Sequence, residues 1–339
     1  MHRVLRFPVS RCRSSPVATV QFGRILSSKQ FDPFVWPGAS DPPAAAKKLD
    51  TKEDLKQLSD QLREMKEDAF SNTMRFTIQN ALMGKIEVEV YCDEWPQFKA
   101  VAARITTPTV ADVVLYTKSN ESALGLLYDG RILKCPGSHI SGGVIFAEIK
   151  DSLAQYLIDN IKSKYGRLLS IDTHKDKEAQ STILQYSRKH KQPQKIPCPH
   201  GYVIKPLCPE HAEFISRHWR FNDTTRKCSE KFGFIIKNFP SSAVYPHTES
   251  GESPDPVGWA LLYPHGHIGH LTILEEHQKK NLFKPLALDL VSNVWSEEYL
   301  PELASDNVIV VGTATKNGFA EITKGRRLIY QPLFKQRCC

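Results

Sequence analysis

The fold of this chain is indicated most directly by residues 256–295, which read PVGWALLYPHGHIGHLTILEEHQKKNLFKPLALDLVSNVW. Two short apolar runs are separated by a tight turn, and an apolar run with helical spacing begins near Leu282. The pattern predicts the order strand, turn, strand, loop and helix. The loop between the second strand and the helix is basic.

This basic loop leads directly into the start of a helix, where the first backbone N–H groups have no partner within the helix. Lys279, Lys280 and Lys284 place positive charge at the same end. The start of a helix is the positive end of its dipole, so lysines there are unfavourable unless a bound anion neutralises both the lysines and the dipole. The arrangement predicts a site for a phosphorylated cofactor, and solvated surface lysines are the alternative.

Composition limits the class of protein. A chain of 339 residues with 41% hydrophobic and 24% charged residues is typical of a soluble globular protein with room for two domains. Its longest apolar runs, such as VIVV at 308–311, fall far short of the ~20 residues that span a bilayer. The net charge is +8, and six uncompensated Lys and Arg residues lie within residues 1–31, which leaves +2 for the rest. We therefore expect neither a membrane nor a nucleic-acid partner.

The first 31 residues have the composition of a mitochondrial transit peptide. They are rich in Arg and Ser, contain no acidic residue and lack the apolar core of a secretory signal. Residues 24–27, RILS, resemble a cleavage pattern of the matrix protease. A location in the mitochondrial matrix is therefore predicted, and a disordered basic tail is the alternative. Residues 32–44 are predicted to be a linker.

The first folded part alternates helices and strands. A helix is predicted to start at Thr51, which forms a capping-box-like pair with Asp54. Apolar runs between turn signals predict strands at 86–91, 100–105, 112–116, 123–128 and 143–148, followed by a helix over 151–165. Residues 45–173 are therefore predicted to form an N-terminal α/β domain, and the polar and basic residues 174–200 a linker.

The second folded part is predicted to be an α/β domain over residues 201–339. Its predicted strands lie at 202–206, 257–263, 269–274 and 307–312, and its predicted helices near 211–219, 226–237 and 282–295. The predicted fold class of the whole chain is α/β, with mixed twisted sheets flanked by helices.

Metal-ligand residue types occur in two places. Residues 198–211 contain the spacing C-x-H-x7-C-x2-H, which does not match a zinc knuckle. His265, His267 and His270 form a second set, but His267 and His270 have opposite parity along a strand. No metal is therefore expected, and the eight cysteines are predicted to be reduced thiols.

Five separated segments share one register. Residues 93–98, DEWPQF, resemble a D-K-W-P-D-F pattern, and residues 211–221 resemble H-A-x(5)-K-F-W-x-F. Phe239-Pro240 fits an F-P that follows the next helix, residues 269–278 occupy the place of G-x-x-x-x-L-P-E-Y-R, and Asn317 fits an Asn after the last core strand. In this order and spacing, the segments resemble the glycine N-acyltransferase family, a branch of the GNAT acyltransferase superfamily. The resemblance covers most of residues 45–335.

The resemblance implies two GNAT-like α/β halves, of which the second holds acyl-CoA between splayed strands. It also implies that the free amine of an amino acid, usually glycine, attacks the acyl thioester directly with help from a general base. The residues that would bind acyl-CoA are the strand end and the loop: Leu274, Gln278, Lys279, Lys280, Asn281, Leu282, Phe283 and Lys284.

The sequence departs from the superfamily pattern at the pyrophosphate loop. That loop reads Q/R-x-x-G-x-G/A, whereas residues 278–283 read QKKNLF and place Asn281 and Phe283 at the glycine positions. Asn is the residue that best tolerates the left-handed conformation after Gly, but Phe is bulky. The Glu that serves as the family's base falls on Thr225 or Arg226, and neither can accept a proton at neutral pH.

Two other residues are candidates for the general base. Asp223 is the nearest carboxylate to the family position, and an N-cap of the next helix is the alternative role for it. His270 lies on the strand that would face the acyl group, and its alternative role is that of a half-buried strand histidine. The predicted function is acyl-CoA-dependent N-acyl transfer to glycine or a similar amine, and a non-catalytic acyl-CoA-binding relative is the alternative.

Overall fold

The computed structural model describes residues 46–65, 68–107, 111–129, 131–133, 144–163, 166–170, 180–187, 193–219, 227–247, 255–296 and 299–332. These residues all fall within one compact unit. None of the helices in these ranges combines the length and the hydropathy that a bilayer crossing requires.

The strands are β1 (Lys47–Leu49), β2 (Glu87–Cys92), β3 (Ala100–Thr106), β4 (Ala111–Thr117), β5 (Val144–Lys150), β6 (Lys162–Ser163), β7 (Gly166–Ser170), β8 (Ser181–Tyr186), β9 (Tyr202–Lys205), β10 (Ser241–Pro246), β11 (Gly258–Leu262), β12 (His267–Ile273), β13 (Glu302–Ser305) and β14 (Phe319–Pro332). The helices are α1 (Lys52–Glu64), α2 (Ala69–Leu82), α3 (Asn120–Leu127), α4 (Asp151–Asn160), α5 (Ala212–Arg217), α6 (Lys227–Asn238), α7 (Phe283–Val294) and α8 (Val308–Lys316).

The described strands form one continuous sheet in the order β1-β2-β3-β4-β5-β14-β8-β13-β12-β11-β10-β9, and β7 pairs with β14 and β6. Its pairs are antiparallel except for β4 with β5 and β12 with β13. Each half of the chain therefore contributes an antiparallel run that ends in one parallel pair. The mixed sheet with its flanking helices confirms the predicted fold class.

The two halves exchange their last strands. β8 follows the first half along the chain but pairs with β13 of the second half. β14 ends the second half but pairs with β5 of the first half, and β8 and β14 also pair with each other. The exchange makes the sheet continuous.

Helices cover both faces of the sheet in the first half. Alternate residues of a strand point to opposite sides, and in β3 the residues on both sides pack against helices. Val101 and Ile105 of β3 pack in the same core cluster as Leu58 of α1 and Met74 of α2. Ala102 of the same strand belongs to a second cluster with residues of α3 and α4. β3 is accordingly buried over all but its last residue.

Most predicted elements are present, and two predicted strands are wrong. Residues 123–127 lie in α3 and Tyr128 is its C-cap, while Ser119 caps the start by accepting a hydrogen bond from the Ser122 N–H. Residues 307–312 lie in α8, where the Asn307 side chain accepts hydrogen bonds from two N–H groups of the first turn. A local cap thus accompanies a helix in both apolar runs, and at 308–311 it does so in spite of four β-branched residues. The predicted cap at Thr51 is confirmed by its bond from the Asp54 N–H at 3.0 Å.

Several elements are absent from the sequence-based prediction. They are α2, β1, β6, β7, β10, β13 and β14, together with β8, which occupies part of the predicted linker of residues 174–200. β8 pairs along both of its edges and is largely buried, so Ser181–Tyr186 is sheet rather than linker. The boundaries proposed for the two domains stay predictions.

Leu328 tests the role of β14 as the strand that joins the halves. It is fully buried and pairs with Phe146 of β5 on one side and Ser170 of β7 on the other. We expect Leu328→Ala to lower the free energy of unfolding by about 2–5 kcal/mol, measured by urea denaturation, with a single cooperative transition.

The control is Ile322→Ala on the same strand, where the side chain is 40% exposed and the expected loss is below about 1 kcal/mol. Equal losses for the two variants, or two separate transitions in either, would contradict the structure.

Candidate active site

Strands β12 and β13 lie side by side for two residue pairs and then part. The parallel register joins His267 to Glu302 and Ile268 to Leu303, after which β12 continues to Ile273. Beyond that point their facing hydrogen-bonding groups are available to a ligand between the strands. The gap lies at the carboxyl ends of two parallel strands, which is where open α/β sheets bind ligands.

A cavity of about 300 Å³ occupies this gap. Residues 268–272 of β12 and 303–307 at the end of β13 form much of its wall, and Glu148, Tyr263 and Arg327 come from other elements. Its size is at the lower end of the range for small-molecule sites. Both halves of the chain therefore build the cavity, since Glu148 lies on β5.

β12 bulges where it leaves β13. The register between β11 and β12 shifts so that His270 and Leu271 together oppose Ala260. His270 has a φ of 50°, in the left-handed region that few non-glycine residues adopt. A bulge leaves a residue out of the ladder and bends the strand, so the backbone beside the cavity is turned from its regular direction.

Gly269 is required next to the bulge because the Tyr263 ring lies over it. A Cβ atom at this position would lie 2.2 Å from Cε2 of Tyr263. The glycine thus lets the aromatic ring form part of the cavity wall.

The His270 side chain is enclosed by aromatic rings. Its ring centroid lies 4.9 Å from that of Phe232, 5.8 Å from Trp259 and 6.2 Å from Trp219. Among the described residues neither ring nitrogen has a hydrogen-bond partner. Burial, with the nearby His218, lowers the pKa of His270 to about 3. The ring is therefore neutral and weakly basic at neutral pH, and its role as general base stays a prediction.

The loop between β12 and α7 contains the predicted acyl-CoA-binding residues, and its backbone has the conformations that glycine would favour. Leu274 anchors its start by donating its N–H to the Val257 carbonyl at 2.9 Å, and a 3-10 turn follows at Glu275–His277. Lys279 has a φ of 62° and Asn281 a φ of 58°. Asn281, where the resemblance predicts the first glycine, thus adopts the left-handed conformation, which Asn tolerates well.

Helix α7 begins without a side-chain cap. Leu282 at the N-cap supplies no side-chain hydrogen bond, and the first turn holds no acidic residue. Phe283, at the second superfamily glycine position, is already helical. The N–H groups of Phe283 and Lys284 are therefore left to solvent or to an anion, since Pro285 has no N–H. The exposed Lys279 and Lys284 lie at the same end.

Tyr202 of β9 holds this loop from one side. The Tyr202 hydroxyl lies 2.9 Å from Nδ1 of His277, and Lys280 Nζ donates to the same hydroxyl at 3.2 Å. Gln278 Nε2 donates to the Ile273 carbonyl at 3.2 Å. The predicted loop residues are thus brought together, and Tyr202 was missed because it lies more than 70 residues away along the chain.

A buried charged cluster lies beside the cavity around His267. Its Nδ1 lies 3.1 Å from Glu148 Oε2, and its Nε2 lies 3.3 Å from Glu302 Oε2 and 3.0 Å from Thr73 Oγ1. Burial lowers the pKa of His267, but the hydrogen bonds to the two carboxylates outweigh it and raise the pKa to about 9. Gln185 Nε2 donates to the other oxygen of Glu302 at 3.0 Å.

Arg327 of β14 completes the cluster. Its Nη2 donates to Oε1 of Glu148. Burial opposes ionisation of Glu148, but the charges of Arg327 and His267 outweigh it and hold the pKa of Glu148 well below its usual range. One third of the Arg327 side chain is solvent-accessible, and the residue lines the cavity.

His265 lies next to this cluster, and its ring, unlike that of His267, makes no hydrogen bond among the described residues. Both ring nitrogens are buried and unpartnered among the described residues. Burial, together with the charge of His267, lowers its pKa well below the ordinary value. The ring stacks on Tyr263 with centroids 5.5 Å apart and meets the His267 ring edge-on at 5.0 Å.

The other predicted site residues are placed differently. Asp223 lies outside the described residues. In the C-x-H-x7-C-x2-H segment, Nδ1 of His211 accepts the backbone N–H of Cys208 at 3.0 Å. Within the described ranges, the group whose donor atoms could share a metal ion is Glu148, His265 and His267.

Sequence reasoning missed Glu148, Glu302 and Arg327 because the fold brings them to His267 from distant strands. One signal was available: Glu148 stands inside the apolar run VIFAEIK, where a carboxylate in a buried strand requires a partner.

Comparison with known proteins finds similarity in fold only. No protein-family model and no curated protein matches the sequence. The solved structure of a Drosophila protein of unstated function matches with a TM-score of 0.64 at 12% identity, over 84% of this chain and 98% of that one. At this identity the likeness concerns the fold alone.

Two acetyltransferase-fold structures match more loosely. An N-acetyltransferase-like protein from Streptococcus suis matches with a TM-score of 0.45 at 12% identity, over 80% of this chain and 99% of that one. A GNAT-family acetyltransferase from Colwellia psychrerythraea gives 0.41 at 10% identity, over 84% and 99%. At such TM-scores these two matches add no argument about this chain.

The buried His270 should make the stability of the fold depend on pH. Its folded-state pKa of about 3 lies below that of the unfolded chain, so acid protonates the unfolded state first. Stability from this group is full above about pH 6.5 and falls as the pH drops towards 3. The loss should be on the order of 2 kcal/mol at pH 5.

We expect His270→Asn, which tolerates the left-handed backbone, to remove this part of the acid sensitivity. Urea denaturation at pH 7.5 and pH 5 measures it, and the exposed His247→Asn serves as the control. Identical pH slopes for wild type and His270→Asn would show that the ring is not buried in neutral form.

Proposed function

We propose that this protein is an acyl-CoA-dependent N-acyltransferase that transfers an acyl group to glycine or a similar small amino acid. The observation that carries the proposal is the parting of β12 and β13, with a cavity between them and an uncapped helix start at the same edge of the sheet. A long, narrow substrate with a phosphorylated end suits this geometry.

The pantetheine arm of acyl-CoA would lie between the parted strands. Its amide groups can pair with backbone groups of β12 and β13 that the two-residue parallel ladder leaves available. Its pyrophosphate would lie at the start of α7, where N–H groups and Lys279 and Lys280 supply positive charge. The bulge at His270 turns backbone groups at the cavity, and N–H groups there would polarise the thioester carbonyl.

The acceptor would bind on the opposite wall through its carboxylate. Arg327 uses Nη2 on Glu148, and the residue lines the cavity with one third of its side chain accessible. Its remaining N–H donors would hold the carboxylate of an amino acid, because the guanidinium fork matches that group. The amine would then attack the thioester directly, the thiolate would leave, and no covalent enzyme intermediate would form.

The base that removes a proton from the ammonium group is proposed to be Asp223, the carboxylate nearest to the family position. His270 is the poorer candidate because its ring is enclosed and its pKa is lowered to about 3. Glu148 is ionised but holds its charge in ion pairs with Arg327 and His267, which makes it a weak base. The pH–rate profile of Asp223→Asn tests this assignment.

The alternative is a non-catalytic acyl-CoA-binding relative, which the weak basicity of both His270 and Glu148 favours. A location in the mitochondrial matrix is a further proposal, supported by the composition of residues 1–31. Failure of residues 1–31 to direct a fused fluorescent protein into mitochondria would exclude it.

A thiol-release assay tests the proposed activity. The full chain is mixed with acetyl-, benzoyl- or a longer acyl-CoA and with each of a panel of amino acids, and free CoA thiol is measured. We expect thiol release that depends on the amino acid. A rise in Tm with acyl-CoA but no thiol release for any amine would support the binding relative instead. The absence of both a rise in Tm and thiol release would overturn both the enzyme and the binding relative.

A variant of the loop tests the proposed acyl-CoA site. Lys279→Asn together with Lys280→Gln removes two charges, and Asn suits the left-handed backbone of residue 279. It should weaken acyl-CoA binding about tenfold, whereas the exposed Lys237→Gln on α6 should leave binding unchanged.

Arg327 should determine affinity for the acceptor. We expect Arg327→Lys to raise the KM for the amino acid about tenfold or more, because the lysine keeps the charge but loses the two-pronged hydrogen bonding. The KM for acyl-CoA should stay within about twofold. Equal effects on both KM values would indicate a general disturbance of the cavity.

A further inference from the structure

The donor atoms of Glu148, His265 and His267 all lie within 4.8 Å of one another, and all three residues are buried. Two imidazoles and one carboxylate are a ligand set used by zinc and other first-row transition metals. Oε2 of Glu148 and Nδ1 of His267 are 3.1 Å apart, close to the roughly 3.4 Å that separates two ligands of a tetrahedral zinc ion.

The surroundings hold these ligands in the manner of a metal site. The ring nitrogen of His267 that points away from Glu148 meets Glu302 at 3.3 Å and Thr73 at 3.0 Å. The carboxylate oxygen of Glu148 that points away from His267 accepts from Arg327. Such outer contacts orient ligating histidines and carboxylates, and here they leave one donor atom of each residue facing the same space.

His265 supplies an independent observation. It is 5% exposed, and both ring nitrogens lack a partner among the described residues. A buried polar group without a hydrogen bond is unfavourable, so the His265 ring requires a partner that the described residues do not supply. A metal ion between the three residues would bind one of these nitrogens, since the donor atoms already lie within 4.8 Å of one another.

The charge around the three residues is suited to one cation, and the proton on His267 fills that role when no metal ion is bound. With neutral histidines, Glu148 and Glu302 contribute two negative charges and Arg327 one positive charge. Lys231 and Asp112 pair with each other at 3.0 Å and cancel.

We propose that Glu148, His265 and His267 bind a divalent transition-metal ion, with Zn²⁺ the closest match to the ligand set. The ion would link β5 of the first half to β12 of the second and leave a fourth position for water. It would replace a proton that otherwise lies between Nδ1 of His267 and Glu148. The proposal does not depend on acyl transfer.

Metal titration of the untagged full chain tests the proposal. The protein is dialysed against a chelator and then titrated with Zn²⁺ by calorimetry and with Co²⁺ by visible absorption. We expect about one ion per chain, a Tm that rises with Zn²⁺, and a Co²⁺ spectrum of four-coordinate type without thiolate bands.

Variants locate the ion. His265→Gln and Glu148→Gln should each weaken binding at least tenfold. His277→Gln, in the exposed loop, and Cys208→Ser, in the other Cys and His segment, should stay within about twofold. Circular dichroism checks that each variant is folded, and the Co²⁺ spectrum of the wild type identifies the ligand types even if one variant unfolds.

Absence of binding by the folded wild type, or binding that His265→Gln and Glu148→Gln leave unchanged, would overturn the proposal. A thiolate band in the Co²⁺ spectrum would do the same, because it would place the ion on cysteine.

Discussion

The pairing of β14 with β5 and β8 is the constraint on which the rest of the structure depends. Because each half gives its last strand to the other, the sheet is continuous and the chain has one extended core cluster across both halves. The same pairing carries Arg327 to Glu148 and both of them to the edge of the cavity. A site formed largely by β12 and β13 therefore depends on strands that lie far from them along the chain.

The cavity and the buried cluster follow from one geometric event. β12 and β13 are held together only at His267 and Ile268, and the His267 ring is bound on both sides by carboxylates at that point. Beyond this point β12 forms a wall of the cavity, and it contains both the bulge at His270 and Gly269, over which the Tyr263 ring lies. The buried charges lie where the strands meet, and the bulge lies where they part.

The sequence predicted what local pattern determines and missed what distant pairing determines. The cap at Thr51, the loop after β12 and the start of α7 depend on neighbouring residues, and the structure has them as predicted. The strand predicted at 307–312 failed because Asn307 caps a helix whose Val308 is 81% exposed. Glu148 and Glu302 could not be assigned to His267, since no local pattern records a contact across 119 residues or an exchange of strands. His270 was found by its position, but its aromatic surroundings were not.

The exchanged strands also determine when the sheet can be completed during synthesis of the chain. All of the first half leaves the ribosome before Phe319–Pro332 exists, so β5 must wait with an unpaired edge while more than 160 further residues are made. β8 waits in the same way for Glu302–Ser305. A nascent chain that stalls between these points presents open strand edges, which pair readily with other chains. The last strand to be made is thus the one that closes the first half.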